Sequence, residues 1–170
     1  YCKSTGQVQQ VPVADVFQYV PILETIRFVC QFLPVHSRSN FSAGEQLKEY
    51  CDGNRYTNSA FFRNNPGAFQ MHLYFDEFET VNPLGTKTKI HKLGAIYMML
   101  RNLPSHLNSR LKHIHLVSLF HTEDVKTYGF NAILRPLVSD LKKLENDGVT
   151  VANSVTGVVE RVKGALVLIS

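Results

Sequence analysis

The chain has 170 residues, of which 44% are hydrophobic and 19% are charged. This composition is typical of one globular domain and excludes a disordered chain, a collagen and a coiled coil. No apolar run approaches the roughly 20 residues that a membrane helix needs. The net charge of +4 is uneven, because residues 1–85 carry six Lys/Arg and eight Asp/Glu, whereas residues 86–170 carry twelve and six.

The basic excess is concentrated in a segment between Glu79 and Glu123 that contains no acidic residue. Its basic residues, which are the candidates for nucleic-acid contacts, are Lys87, Lys89, Lys92, Arg101, Arg110 and Lys112. A segment of one charge sign fits a polyanionic partner such as nucleic acid. The alternative is a locally basic surface that the acidic half of the chain neutralises.

The first part of the chain has helical signals. Pro21 and the apolar spacing after it predict a helix over 22–29. The capping box Ser42–Glu45 predicts another helix, which runs to about Cys51. We expect residues 1–66 to form a helical N-terminal extension.

The pattern changes to strands at residue 69. The elements predicted after it are strands over 69–75, 93–100 and 113–120, a long amphipathic helix near 123–146, short strands near 149–151 and 158–162, and a last strand over 165–169. Short connections favour an antiparallel meander, and a helical crossover favours a last strand parallel to the first. We therefore expect an α/β fold with a mixed sheet, in which residues 67–170 have the RNase H-like order of three antiparallel strands, a long helix and a parallel fourth strand. The apolar run at Leu166–Ile169, with only Ser170 after it, leads us to expect an excerpt of a longer protein.

Asp76 is the candidate catalytic carboxylate, because it lies on or directly after the first core strand. Two-metal phosphoryl transfer requires carboxylates from separate strands that converge on divalent cations, which one aspartate cannot provide alone. The alternative is a strand-end carboxylate that pairs with a lysine or with a turn amide.

Histidines and cysteines give weaker signals. His113 and His115 have the spacing to share one face of a strand, as in some zinc sites. No Cys, Asp or Glu lies in the same segment, so we expect surface or phosphate-facing imidazoles. Cys2, Cys30 and Cys51 form no C-x-x-C motif and indicate free, buried thiols in a reducing compartment.

A series of short motifs resembles the transposases of the CACTA (EnSpm) and KDZ-like groups of DNA transposons. In chain order they are Asp76, Asn82–Gly85, Leu93–Tyr97, Arg101–Pro104, Tyr128–Phe130, Leu134–Val138, Asp140–Glu145 and Gly148–Val149. The strongest part covers about 69–151. Tyr19–Thr25 and Phe69–Met71 also resemble uncharacterised transposon-derived proteins.

The resemblance implies a truncated RNase H-like, DDE-type catalytic domain that cuts and joins DNA with Mg²⁺ or Mn²⁺. Asp76 would be the first catalytic, metal-binding acid, and the second and third acids would follow Ser170, so the 170 residues alone are expected to be inactive. The resemblance also implies DNA as partner, a nuclear location and homo-oligomerisation of the full-length protein. The alternative is a non-catalytic nucleic-acid-binding or protein-interaction module from a decayed or repurposed element.

Overall fold

The computed structural model describes residues 14–32, 50–80, 92–101 and 110–170. The helices are α1 (Ile22–Phe32), α2 (Asn54–Thr57), α3 (Ala60–Asn64), α4 (Thr122–Tyr128) and α5 (Phe130–Asn146). The strands are β1 (Gln18–Tyr19), β2 (Phe69–Glu79), β3 (Lys92–Leu100), β4 (Ile114–His121), β5 (Val149–Ala152), β6 (Val159–Val162) and β7 (Gly164–Ile169). None of these helices is long and apolar enough to cross a membrane.

Five strands form the main sheet in the order β1-β4-β3-β2-β7. The strands β2, β3 and β4 are an antiparallel meander, and β7 pairs with β2 in parallel. A second, two-stranded antiparallel sheet contains β5 and β6. The expected α/β class and the mixed, partly parallel sheet are therefore confirmed.

One face of the main sheet carries the core. Alternate residues of each strand point to the same face, so Phe69, Met71 and Leu73 of β2 lie inside. The buried residues of this core that come from the helices are Ile22, Ile26, Val29 and Cys30 of α1 and Ile133, Leu137 and Leu144 of α5. The apolar spacing of α1 and α5 thus forms two stripes that cover the same sheet face.

A hydrogen bond ties the edge strand β1 to this helical layer. The Tyr19 hydroxyl donates to Asp140 Oδ2 of α5 over 2.8 Å. Burial and the Asp140 carboxylate both raise the pKa of Tyr19, so its phenol stays protonated and remains a donor.

The opposite face is only partly covered. A cluster of Tyr56, Phe62 and Ala68 from α2, α3 and the following turn packs on Ala165 and Val167 of β7. The rings of Tyr56 and Phe62 stack with centroids 4.8 Å apart. We call this side of the sheet the second face; away from β7, several of its side chains are exposed.

Two predicted elements were wrong in detail. The helix expected near 123–146 is two helices, because Gly129 separates them with a φ of 75°, which only glycine adopts without strain. The first strand, expected to end at residue 75, continues through the acidic residues to Glu79. The helix expected from Ser42 lies outside the described residues up to 49, and a 3₁₀ turn occupies Tyr50–Asp52.

The helix α1, which belongs to the expected N-terminal extension, contributes to the core of the sheet that follows it. Its residues Ile22 and Ile26 are fully buried in the same cluster as β2 and α5. At its end, the Asn153 side-chain amide donates to the Cys30 carbonyl over 3.1 Å. The division into residues 1–66 and 67–170 stays a prediction.

Candidate functional site

Asp76 lies on the second face of β2, opposite Ala95 of β3. Its side chain is exposed. Within the described residues this carboxylate makes no hydrogen bond or ion pair. The alternative to a catalytic role, in which Asp76 pairs with a lysine or a turn amide, therefore has no partner in this part of the chain. The neighbouring exposed residues on this face include Tyr74, whose ring stacks on that of Tyr97 with centroids 6.4 Å apart.

The end of β7 lies directly beside the Asp76 position. The Ser170 amide donates to the Leu73 carbonyl over 3.1 Å, and the Phe75 amide donates to the Ser170 carbonyl over 2.9 Å. The His72 ring nitrogen Nε2 lies 2.9 Å from Ser170 Oγ on the same strand pair. β2 and β7 are parallel, and β2 continues beyond the end of β7, so Asp76 lies a few residues past the last β2–β7 pair, Leu73 and Ile169. Ligand sites in α/β folds commonly form at the carboxyl ends of parallel strands.

The described residues do not complete a metal site around Asp76. Within them, no group of three or more His, Cys, Asp or Glu side chains is close enough to hold a metal ion. Glu77, the next carboxylate, follows Asp76 directly and so points to the other face of the strand. Asp76 can supply one carboxylate, and the described residues do not bring three ligand side chains together around it.

The predicted nucleic-acid contacts divide into two places. Lys92 is the cross-strand neighbour of Glu79, near the Asp76 end of the sheet. Arg101, whose amide donates to the Gln70 carbonyl, lies at the other end. It is six residues beyond Ala95, so about 20 Å separates it from Asp76 at the rise of an extended strand.

Arg110 and Lys112 lie at the Arg101 end. They precede β4, whose first residue Ile114 pairs with Met99 near the end of β3. Both basic side chains are exposed, and their charges contribute to the lowered pKa of His113. Three of the six predicted contacts therefore share one end of the sheet, while Lys87 and Lys89 lie outside the described residues.

The expectation of surface histidines at 113 and 115 was wrong. His113 is 7% exposed, and the Nε2 atoms of both imidazoles are buried without a hydrogen-bond partner in the described chain. Burial lowers the pKa of both side chains, and the proximity of His113 lowers that of His115 further. His113 is therefore a buried and His115 a half-buried imidazole, and a lowered pKa favours the neutral form of both near pH 7.

The cysteines agree in part with the expectation of free, buried thiols. Cys30 is buried and Cys51 is half-buried, and neither is in a disulfide. Burial first, and the Glu160 carboxylate second, raise the pKa of Cys30 to about 12, so it is not a nucleophile at neutral pH. Cys2 lies outside the described residues.

No protein-family model matches the chain, and no curated protein matches it. Any assignment of function therefore depends on the geometry above and on the motifs in the sequence.

Proposed function

We propose that the chain is part of a transposase-like protein with an RNase H-like fold, which cuts and joins DNA strands and in which Asp76 is the first catalytic carboxylate. A nuclear location and a homo-oligomeric full-length protein belong to the same proposal. The motifs from Asp76 to Val149 that resemble CACTA and KDZ-like transposases supply the reaction class.

The strand order supports this proposal. An RNase H-like sheet begins with three antiparallel strands and places the strand after the helical crossover parallel to the first. The meander β2-β3-β4, the helices α4 and α5, and the parallel pair of β2 and β7 have this arrangement. The small β5–β6 sheet is an insertion between the long helix and β7.

The observation that carries the proposal is the position of Asp76 relative to the end of β7. The Ser170 carbonyl accepts from the Phe75 amide, so a residue that follows Ser170 would begin beside Asp76. A carboxylate there would approach the Asp76 carboxylate from a separate strand, as two-metal chemistry requires.

Mg²⁺ or Mn²⁺, when bound, would polarise the phosphate and stabilise the attacking and leaving oxygens. Asp76 is suited to be one ligand, since its carboxylate is exposed and unpaired within the described residues. It is not sufficient, because the described residues offer no cluster of three ligand side chains. What this chain itself contributes is the rigid placement of one carboxylate on a paired strand.

The test is DNA cleavage by the full-length protein with Mg²⁺ or Mn²⁺. We expect Asp76→Asn to lower the rate by at least about 100-fold, because a metal ligand is lost without a change of volume. Glu77→Gln is the matched control: it removes the adjacent exposed carboxylate from the other strand face and should leave the rate within about threefold. Unchanged metal-dependent cleavage by Asp76→Asn would remove Asp76 from the mechanism.

A second candidate function is non-catalytic nucleic-acid binding. It is favoured by the shared position of Arg101, Arg110 and Lys112 at the sheet end that lies away from Asp76. Such binding is electrostatic, so affinity should fall steeply between about 50 and 200 mM salt. Salt-independent DNA affinity would contradict this function, and metal-dependent cleavage that needs Asp76 would favour the first one.

A further inference from the structure

A cleft lies at the amino end of β7, between the turn that precedes β2 and the end of β6. Its volume is about 340 Å³, and it is lined by Asn65, Gly67, Ala68, Glu160, Arg161, Val162 and Lys163. The turn and the strand are about 95 residues apart in the chain and meet because β2 begins next to β7. The contact is fixed by the Phe69 amide, which donates to the Lys163 carbonyl over 2.7 Å.

Two cations of this cleft are unpaired with acids in the described chain. Neither Arg161 nor Lys163 lies within 4.0 Å of a carboxylate oxygen there. Alternation along β6 puts Arg161 on the face opposite to Glu160 and Val162. Glu160 also lines the cleft, and its charge contributes to the raised pKa of Cys30. It makes no ion pair with Arg161 or Lys163 in the described chain.

The turn adds a backbone donor to the cleft. The amides of Asn65 and Ala68 donate to the carbonyls of Phe61 and Asn65, but the Gly67 amide has no acceptor within the described residues. A Cβ atom added to Gly67 would meet no atom within 4 Å, so the space above this residue is open. Gly67, Arg161 and Lys163 line the same cleft, and a free backbone N–H, a guanidinium and an ammonium are all donors to oxyanions.

We propose that this cleft is a phosphate-binding site, formed by Arg161, Lys163 and the Gly67 amide. A guanidinium binds two phosphate oxygens at once, and an ammonium adds a point charge. The cleft volume is at the lower end of the range for small-molecule sites, so the cleft has room for a phosphate that is part of a larger group. The two sources with this chemistry are a phosphorylated small molecule and the backbone of a nucleic acid.

The test compares two charge-matched double variants of the chain. Arg161→Gln with Lys163→Gln removes both cations of the cleft and keeps the side-chain stems. Arg135→Gln with Lys142→Gln removes the same charge from exposed positions of α5 and is the control. Thermal unfolding of all three proteins checks that the fold is retained.

Two probes distinguish the sources. Inorganic phosphate, followed by the NMR shift of the Gly67 amide, should bind the wild type and the control and lose at least about tenfold in affinity in the cleft variant. A single-stranded DNA of about 20 nucleotides should show the same loss, with a salt slope lower by about 0.7 to 1.4, if the phosphate is part of a nucleic acid. Loss with phosphate alone assigns the site to a small molecule.

Glu160→Gln provides a test in the opposite direction. Removal of the nearest carboxylate should tighten phosphate binding in the wild-type background. An unmoved Gly67 resonance with both probes, or equal affinities of the cleft and control variants, would overturn the proposal. Phosphate binding at this cleft would stand whether or not Asp76 takes part in catalysis, because neither probe needs a divalent metal.

Discussion

Gly94 of β3 offers a sharp test of how the core is packed. A Cβ atom on this residue would lie 2.5 Å from Cε2 and 2.7 Å from Cζ of Phe120, its cross-strand partner. Contacts between carbon atoms are normally about 3.5–4.0 Å, so the ring would have to move by about 1 Å. The motif position of this glycine thus has a structural reason, which is the close approach of an aromatic ring.

The Phe120 ring cannot move freely. It is 2% exposed, and it lies nearly parallel to the Phe75 ring with centroids 6.2 Å apart. The Phe130 ring meets both of them edge-on, with centroids 5.7 Å from Phe75 and 6.2 Å from Phe120. Overpacking of such a core costs about 1–3 kcal/mol of stability. Alanine is more stable than glycine in a strand by about 0.5–1 kcal/mol, and this gain offsets part of the cost.

We therefore expect Gly94→Ala to lower the free energy of unfolding by about 1 kcal/mol, near the middle of the range of about 0–2.5 kcal/mol that the two terms span, measured by urea denaturation at an unchanged m-value. Gly67→Ala is the control, since its Cβ would meet nothing within 4 Å, and should stay within about 0.5 kcal/mol. Phe120→Leu should relieve the clash, so the double variant should show a coupling of at least about 0.5 kcal/mol. A Gly94→Ala protein that is as stable as the wild type and shows no coupling to Phe120→Leu would refute the packing of these three rings.

Two further predictions concern the titratable groups of the core. Because burial lowers the pKa of His113 and His115, unfolding takes up protons below about pH 6.5. The free energy of unfolding of the wild type should therefore fall as the pH is lowered from about 7.5 to about 5.5. The fall should be smaller in the double variant His113→Gln, His115→Gln. A wild-type stability that does not change over this pH range would contradict the burial of the two imidazoles. Because the pKa of Cys30 is raised to about 12, iodoacetamide at about pH 8 should label half-buried Cys51 and reach Cys30 only after denaturation, as mapped by mass spectrometry. Labelling of both thiols at one rate in the native protein would be inconsistent with this core.

The strand order could be anticipated from the sequence because connection lengths limit the topology. Short links between the first three strands favoured an antiparallel meander, and the helical stripe before Leu166 required a crossover. The apolar stripe that predicted the long helix begins at Phe130, so it carried no information on α4 or on the break at Gly129. A glycine inside a helical pattern is compatible with a kink, a cap or an intact helix.

The extension of β2 through Asp76–Glu79 was not visible in local propensity. Acidic residues are depleted in strands, and here they are accommodated because their side chains are exposed while the backbone pairs with β3. Glu79 is the cross-strand neighbour of Lys92, which places opposite charges on adjacent strands at this end of the ladder.

One of the candidate sites could be predicted from the sequence, and the others could not. Asp76 followed from its position after an apolar strand and from the motif. The cleft with Arg161 and Lys163 could not be anticipated, because its turn at Gly67 is distant in sequence and only the pairing of β2 with β7 brings the two together. The burial of His113 was likewise unpredictable, since a polar imidazole in a basic segment is more often exposed.

The proposed metal site of the full-length protein includes Asp76 and lies next to the end of β7. The most direct measurement is hydroxyl-radical cleavage of the full-length protein's own backbone by Fe²⁺ with hydrogen peroxide and ascorbate, in which Fe²⁺ replaces Mg²⁺ and the chain is cut near the metal. We expect cuts close to Asp76 and to Ser170, suppressed by excess Mg²⁺ and lost in Asp76→Asn but retained in Glu77→Gln. Cuts elsewhere in the chain, or cuts near Asp76 that persist in Asp76→Asn, would contradict the proposed role of this carboxylate.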